Sequence, residues 1–484
     1  MKFPNTKPPG NPPAQETGAV HVGLAITVSC AFFMENFDGT VLATALPSIA
    51  HSLQTDAISA SIGITAYLVS LAMFISLSGW LADRFGTRTV FEVAILLFAT
   101  ASLACALANS LPMFAAARTV QGMGGAMMVP VGRLIVLKST ARAHLIRAMS
   151  IVTTPALMGA ALGPPVGGFL STYLSWRAIF LINLPVALIG VVLIRLYIPN
   201  LREDARAFDW TGFLLSGGAV GLSMLGLQNL THTGDAAWRA VSLLVPGILL
   251  LWATFVHARR HPEGLIDLSL LRYPTFASVV TGGGLFFVAV AAMPFMLPLL
   301  LQIGFHMTAF VSGTVTLASA LGGLFVKRVA PRLLRRFGYR RVMIANSLGL
   351  AIAMLLCAAT SGYVPVLLTA MLLFGFGLLR SLQFSALNTL VYAEVPGERS
   401  SRATSLADTL KQLWQGVGVT VSAILLRLID GAMPDHAGPL PFELAMAAMA
   451  LLGVGATLVF RRLSLDAGAT VSGHGSVPAR PAAS

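Results

Sequence analysis

Charge is what this sequence has least of. Of its 484 residues, 11% are Asp, Glu, Lys or Arg, where a soluble globular chain carries about 25%. Cysteine is almost as scarce. Cys30, Cys105 and Cys357 each sit in an apolar run, with no Cys-x-x-Cys pair, which argues against a disulfide framework or a thiolate metal site. None of the nine histidines lies deep in an apolar run, so an embedded metal centre lacks obvious ligands. No phosphate-binding P-loop motif occurs, which argues against a pump driven by ATP. A cleavable signal is not expected either. Residues 1–19 are polar and Pro-rich, with Lys2 and Lys7, and the apolar run that follows is too long for a signal h-region. It reads as an uncleaved first span.

What the chain does have is apolar length. Hydrophobic residues make up 56% and the mean hydropathy is +0.79. That composition belongs to an all-α polytopic membrane protein. Runs long enough to cross a bilayer fall near 22–46, 58–81, 90–108, 112–137, 147–170, 177–198, 210–230, 241–257, 276–301, 311–329, 342–360, 364–391, 403–427 and 442–460, fourteen in all. The eighth is the weakest, being short and holding Pro246. With an even number of spans both termini share a side, and the positive-inside rule makes that side cytoplasmic. Only Arg177, Arg239 and Arg427 fall at loops on the other side, and only Arg118, Arg133, Arg380 and Lys411 fall more than three residues inside a span. The net charge of +13 is therefore topology, and nucleic-acid binding is not expected because no basic soluble domain could carry it. The Gly-, Ala-, Ser- and Pro-rich tail from 464 reads as disordered.

Two loops on the basic side match. Asp83-Arg84-Phe85-Gly86-Thr87-Arg88-Thr89-Val90 and Arg335-Arg336-Phe337-Gly338-Tyr339-Arg340-Arg341-Val342 are identical at five of eight positions. They enclose eight spans, whereas parallel six-span repeats would enclose six. Spans seven and eight thus read as an insert between two six-helix bundles, a transporter architecture with its site between the halves. The expected divisions are a tail 1–21, a bundle 22–200, an insert 201–275, a bundle 276–463 and a tail 464–484.

Several motifs then converge. They are Glu35 to Pro47 in span one, Gly79 to Arg88 after span two, Arg118 to Ala126 in span four, Gly159 to Gly168 in span five and Trp176 to Pro185 in span six. Together they resemble the fourteen-helix drug–proton antiporters of the major facilitator superfamily, over roughly residues 20–460. The resemblance implies the major facilitator fold and proton-driven export of small, often lipophilic compounds. It implies that Gly79, Asp83, Arg84, Gly86 and Arg88 form a cytoplasmic gate. It also implies that Gly159, Gly163, Pro164, Pro165, Gly167 and Gly168 set exchange rather than uptake. The chain departs from the pattern at Arg335, which stands where the first loop has Asp83, and at Ala43, where many relatives have Asn.

The residues themselves support part of this. Carboxylates inside a membrane cost roughly 2.5–3.5 kcal/mol each on insertion scales and are functional by default. Glu35 and Asp38 are three apart and share a helix face. Asp38 lies about 13 Å from Pro47, and Arg118 about 10 Å from Leu111, at 1.5 Å rise per residue. Their helices run oppositely, so the two charges meet at one depth. Proton coupling is therefore expected of Asp38, Glu35, Arg118 and Gln121. Small residues at every fourth position of span five also suit plain close packing. Arg133 and Glu92 are candidate partners for the gate, and Asp83 a candidate helix cap. In the C-terminal half, Asp408 and Lys411 share a face, and Arg380 could balance Asp408. Candidate cavity residues are Phe33, Phe37, Tyr67, Phe74, Phe286, Phe287, Met293, Phe295, Met296, Gln302 and Trp414.

The expected partners are a small-molecule substrate, protons and the bilayer, with no cofactor and with a monomer sufficient; a periplasmic adaptor is not readable. Glu35 tilts the substrate toward cationic or neutral compounds. A metabolite symporter or uniporter on the same scaffold stays open, as do, more remotely, a membrane-embedded enzyme and a transporter-like sensor.

Overall fold

The computed structural model describes residues 22–140, 145–202, 208–229, 236–261, 264, 266–359, 365–391, 393–395, 400–433, 438–465 and 467–468. The tail 1–21, most of the tail 464–484 and part of each linker flanking the insert lie outside them.

No strand occurs among the described residues. The helices are α1 (Val22–Ser52), α2 (Ala57–Ala60), α3 (Ile62–Phe85), α4 (Thr87–Ala106), α5 (Leu111–Ser139), α6 (Leu145–Tyr173), α7 (Arg177–Leu181), α8 (Asn183–Tyr197), α9 (Trp210–Asn229), α10 (Ala236–Arg260), α11 (Pro274–Leu299), α12 (Ala309–Phe337), α13 (Tyr339–Ala358), α14 (Val366–Leu390), α15 (Ser400–Ala432) and α16 (Leu440–Phe460). Each apolar run of the sequence falls on one long helix, on the α2–α3 pair or on the α7–α8 pair. The eighth is longer than its sequence suggests, because α10 runs through Pro246 for 25 residues.

Twelve helical segments among the described residues are long and apolar enough to cross a membrane. The other two long helices, α1 and α6, have 31 and 29 residues but are diluted. Glu35, Asn36 and Asp38 interrupt α1, and Pro155, Pro164 and Pro165 interrupt α6. Both helices carry motifs of the family resemblance.

Large apolar side chains stand exposed on the outer helix faces, among them Leu188 and Leu196 on α8, Leu249 and Trp252 on α10, Leu367 and Met371 on α14, and Leu451 and Leu458 on α16. Such a surface would aggregate in water and is stable against lipid. Most of the charged side chains within the spans turn inward, where hydrocarbon cannot leave them unsatisfied.

The helices α1 to α8 pack among themselves, as do α11 to α16. The two sets meet along α6 and α12, α3 and α15, and α1 and α11. The pair α9–α10 packs on itself, and α9 also touches α3 and α15, which lays the insert along one seam. The matching loops adopt matching turns. Gly86 ends α3 with φ +94° and Gly338 ends α12 with φ +76°, values that L side chains rarely adopt.

Contacts between the sets concentrate at the ends away from the basic loops. Arg427 on α15 donates to Asp56 Oδ2 at 2.9 Å and to Ser59 Oγ at 3.2 Å. Gln302 donates to the Thr44 carbonyl at 2.9 Å. The Phe310 amide donates to Thr172 Oγ1 at 3.1 Å, and the Phe310 ring meets those of Phe169 and Tyr173. Toward the basic face the sets part around a cavity of about 240 Å³ lined by Arg133, Phe384, Asn388, Val391, Ala407, Asp408 and Lys411.

Candidate functional site

Asp38 and Arg118 are each 1% exposed and Gln121 is fully buried. Arg118 donates from Nη1 to Asp38 Oδ2 at 2.6 Å and to Gln121 Oε1 at 2.7 Å. Its Nε donates to the Gly63 carbonyl at 3.0 Å. Gln121 closes the triangle, donating from Nε2 to Asp38 Oδ1 at 2.9 Å. The Tyr67 ring covers the guanidinium at 4.3 Å. Helices α1, α3 and α5 therefore converge on one ion pair, at the common depth their sequences imply.

A second layer holds this triangle, and sequence reading gave it no role. Asn183 Nδ2 lies 3.5 Å from Asp38 Oδ1 and donates to Ser102 Oγ at 3.0 Å. Ser102 donates in turn to the Phe180 carbonyl at 2.9 Å. The available signal was an isolated amide in an otherwise apolar span, since such groups rarely go unpartnered in a membrane.

The chemistry follows from the pairing. Both carboxylate oxygens accept hydrogen bonds, Oδ2 from the Arg118 guanidinium and Oδ1 from the Gln121 amide. A proton placed on Asp38 would leave Arg118 as an uncompensated buried charge, a costly state. Proton uptake there must accompany water entry or helix movement.

Glu35 lies outside the triangle. It is half-buried and accepts from Asn36 Nδ2 at 2.9 Å. The charges acting on it are Lys411, Asp38 and Arg133, two of them from the basic-side cavity.

The expected Arg380–Asp408 pair does not form. Asp408 accepts from Lys411 at 3.1 Å and from Arg133 at 3.5 Å, the latter across the seam. Arg380 sits on the side of α14 that faces a different cavity, of about 80 Å³, bounded by α1, α6, α11, α12 and α14. The gate partners also differ. Asp83 pairs with Lys138 at 3.5 Å rather than with Arg133, because Lys138 stands at the α5 end, level with the loop. Glu92 is taken by Arg195 at 2.6 Å. Asp83 lies in the last turn of α3, not at a helix start. Arg84 rests over the Trp80 ring at 5.8 Å, Arg88 is half-buried without an ion pair among the described residues, and Gly79 faces open space.

The span-five glycines bring helices together. A Cβ at Gly159 would lie 2.6 Å from the Phe33 carbonyl oxygen, and one at Gly167 would lie 2.6 Å from that of Val41. Gly163 abuts Thr40, Gly168 abuts Ala309, and Gly313 of α12 abuts Pro164. Pro165 lies beside Gly313. One stripe thus seats α6 on α1 and on α12 at once.

Of the candidate cavity residues, Met293 lines the cavity that Arg380 faces. The rest lie elsewhere. Phe33 and Phe37 stack on each other, with centroids 5.7 Å apart, against α6. Tyr67 covers Arg118. Phe74 packs on Phe213 of the insert. Phe286, Phe287, Phe295 and Met296 are buried in the C-terminal core. Gln302 closes the seam, and Trp414 lies against Gly284. Aromatic and Met side chains in a chain this apolar mostly fill core.

The sequence matches the model of the Major Facilitator Superfamily over residues 28–419. It is 36% identical over 448 residues to the "Putative multidrug resistance protein MdtD" of Salmonella heidelberg (strain SL476), covering 91% of this chain and 94% of that one. It is 37% identical over 444 residues to the protein of the same name from Escherichia coli K12, with the same coverage. Among solved structures, a D-xylose–proton symporter aligns with a TM-score of 0.65 at 15% identity over 93% of this chain and 99% of that one. The nucleoside transporter NupG aligns with 0.64 at 14% identity over 90% and 99%. These two likenesses are of fold alone. The chain belongs to the Major Facilitator Superfamily, as a multi-pass membrane transporter and not an enzyme.

Proposed function

We propose that this transporter is a proton-driven exporter of small lipophilic compounds, working by alternating access. It acts in a bacterial inner membrane with both termini in the cytoplasm. The observation that carries the reading is the sealed triangle of Asp38, Arg118 and Gln121. An ionisable pair this deep is costly unless it is used, and it sits on α1, which packs on α6 and touches α11 of the other set. Protonation would release α1 from α5, and deprotonation would draw it back. The basic loops support the orientation, and the MdtD relatives, which carry multidrug resistance in their names, support export.

In this reading the chain divides at about residues 200 and 275, with 201–275 as an accessory pair. Glu35 relays protons from the basic-side cavity, Lys138 and Asp83 latch that face, and the α6 glycines let the sets slide. The tilt toward cationic cargo that Glu35 suggests loses weight beside Lys411 and Arg133.

The test is proton movement in everted vesicles with a preset pH gradient, challenged with lipophilic cations, neutral drugs and organic anions. Substrate-triggered collapse of the gradient is expected from the wild type, and none from Asp38→Asn. Full gradient-driven transport by Asp38→Asn would falsify the coupling role. Substrate movement without proton movement would point instead to a facilitative metabolite carrier.

A further inference from the structure

Three of the four cations that lie well inside the spans have an acid beside them. Arg118 has Asp38, and Arg133 and Lys411 share Asp408. Arg380 has none: among the described residues it makes no ion pair and no hydrogen bond, and the cavity it lines holds no carboxylate. A guanidinium cannot shed its proton, and an ionisable group within a span is by default functional. Arg380 is half-buried on the cavity wall, so a counterion from outside the protein can reach it.

We propose that Arg380 is the anchor for a carboxylate on the transported compound, so that this cavity takes a small organic acid. The proposal rests on the exporter reading and deepens it.

The walls fit that chemistry at one end only. The planar guanidinium fork matches a carboxylate in two parallel hydrogen bonds. Ser319, also on the lining, has a hydroxyl with no partner among the described residues, which leaves one more donor free. The other hydroxyls are committed. Thr40 donates to the Asn36 carbonyl, Thr44 to that of Val41 and Thr316 to that of Gly313, so they cannot also donate to an anion. The remaining wall is largely apolar, with Met293, Leu297 and Phe376 among its members, and suits a hydrocarbon body.

The location adds a reason for coupling. The cavity takes one wall from α1 and α6 and the other from α11, α12 and α14. An acid held by α14 with its body on α1 would bridge the two sets, and α1 is the helix that carries Asp38. At about 80 Å³ the space admits a head group as it stands, since one water needs ≳10–15 Å³ on this measure. The compounds it favours are therefore compact.

The test uses the full-length protein in proteoliposomes and three probes of one shape: benzoate, benzyl alcohol and benzylammonium. Thermal protection and proton movement are read for the wild type, Arg380→Gln, Arg380→Lys and Asp38→Asn. Benzoate is expected to protect the wild type at millimolar concentration, with at least a tenfold loss in Arg380→Gln and a smaller loss in Arg380→Lys. Asp38→Asn should still be protected by benzoate while moving no protons. The empty Arg380→Gln protein should melt higher than the wild type, because an uncompensated charge is gone. Protection by benzylammonium but not benzoate overturns the proposal and leaves the exporter reading standing. So does equal protection by benzoate with and without Arg380, or no protection by any probe. Benzoate binding lost with Arg380 but never coupled to protons upholds the anion site and removes the proton-driven reading instead.

Discussion

At the scale of single residues, the decisive feature is that Asp38 and Arg118 are each 1% exposed and are bonded to each other and to Gln121. Removing one member of a buried pair costs about 3–5 kcal/mol because the survivor stays charged and unsolvated. Arg118→Leu should therefore lower thermal stability by several degrees in detergent, and Asp38→Asn should do at least as much harm, because it leaves the Arg118 guanidinium charged and uncompensated. The double variant Asp38→Asn/Arg118→Gln should recover much of the single loss. A double variant as unstable as the sum of the two would mean that the pair contributes nothing beyond its parts. Such a pairing was legible in the sequence from helix rise alone. That Arg380 would be left without an acid was not, because the side of α14 on which it emerges is set by packing.

At the scale of elements, α6 shows how composition becomes geometry. Its three prolines weaken the helix, and its glycines let backbone meet backbone on two neighbours. Gly163→Leu places a branched side chain where Thr40 already stands, and overpacking of that kind costs of order 1–3 kcal/mol or more. The variant is expected to reach the membrane and lose at least tenfold in transport, because α1 and α6 can no longer sit in register. Transport at the wild-type rate by a folded Gly163→Leu protein would show that the stripe is not part of the moving interface. Spacing in the sequence revealed the stripe. Its second partner, α12, came only from the structure, since Gly168 and Gly313 lie far apart in the chain.

At the scale of the whole molecule, the two sets are closed at the face away from the basic loops and parted at the other. A disulfide between Thr172→Cys and Phe310→Cys should hold the closed face shut. Oxidation is expected to stop transport and reduction to restore it; transport undiminished by oxidation would mean that this seam never opens. The Asp56–Arg427 contact contributes more weakly. Burial by itself would raise the Asp56 carboxyl, but hydrogen bonds from Ser59 and the Arg427 guanidinium outweigh it and hold the group below the usual carboxylate range. A depressed acid stabilises the closed face above its ordinary value near pH 4 and loses that contribution as pH falls through its lowered one. Both groups are partly exposed, so the contact is worth about 0–1 kcal/mol. Arg427→Gln at neutral pH should raise thiol labelling at Thr44→Cys from that face by at most about fivefold, and acid below pH about 4 should do the same to the wild type. A wild type whose labelling is flat through that range would remove Asp56 from the closure.

The sequence alone determined what depends on local length and on covalent spacing. Bilayer thickness selects apolar runs, so fourteen spans could be counted. The asymmetry of Lys and Arg indicates which ends share a face, and helix rise puts Asp38 level with Arg118. The repeated Arg-Phe-Gly motif makes the same turn twice, at Gly86 and Gly338, because a positive φ at its glycine is a local requirement. The Asp408–Lys411 pair follows from their spacing on one helix, but tertiary structure alone decided the neighbours between helices. Asp408 also met Arg133, Asp83 met Lys138, and Arg380 was left facing a cavity, because each of these outcomes depends on the rotation of one packed helix against another. A rotation of that kind leaves no trace in the spacing of residues along either helix.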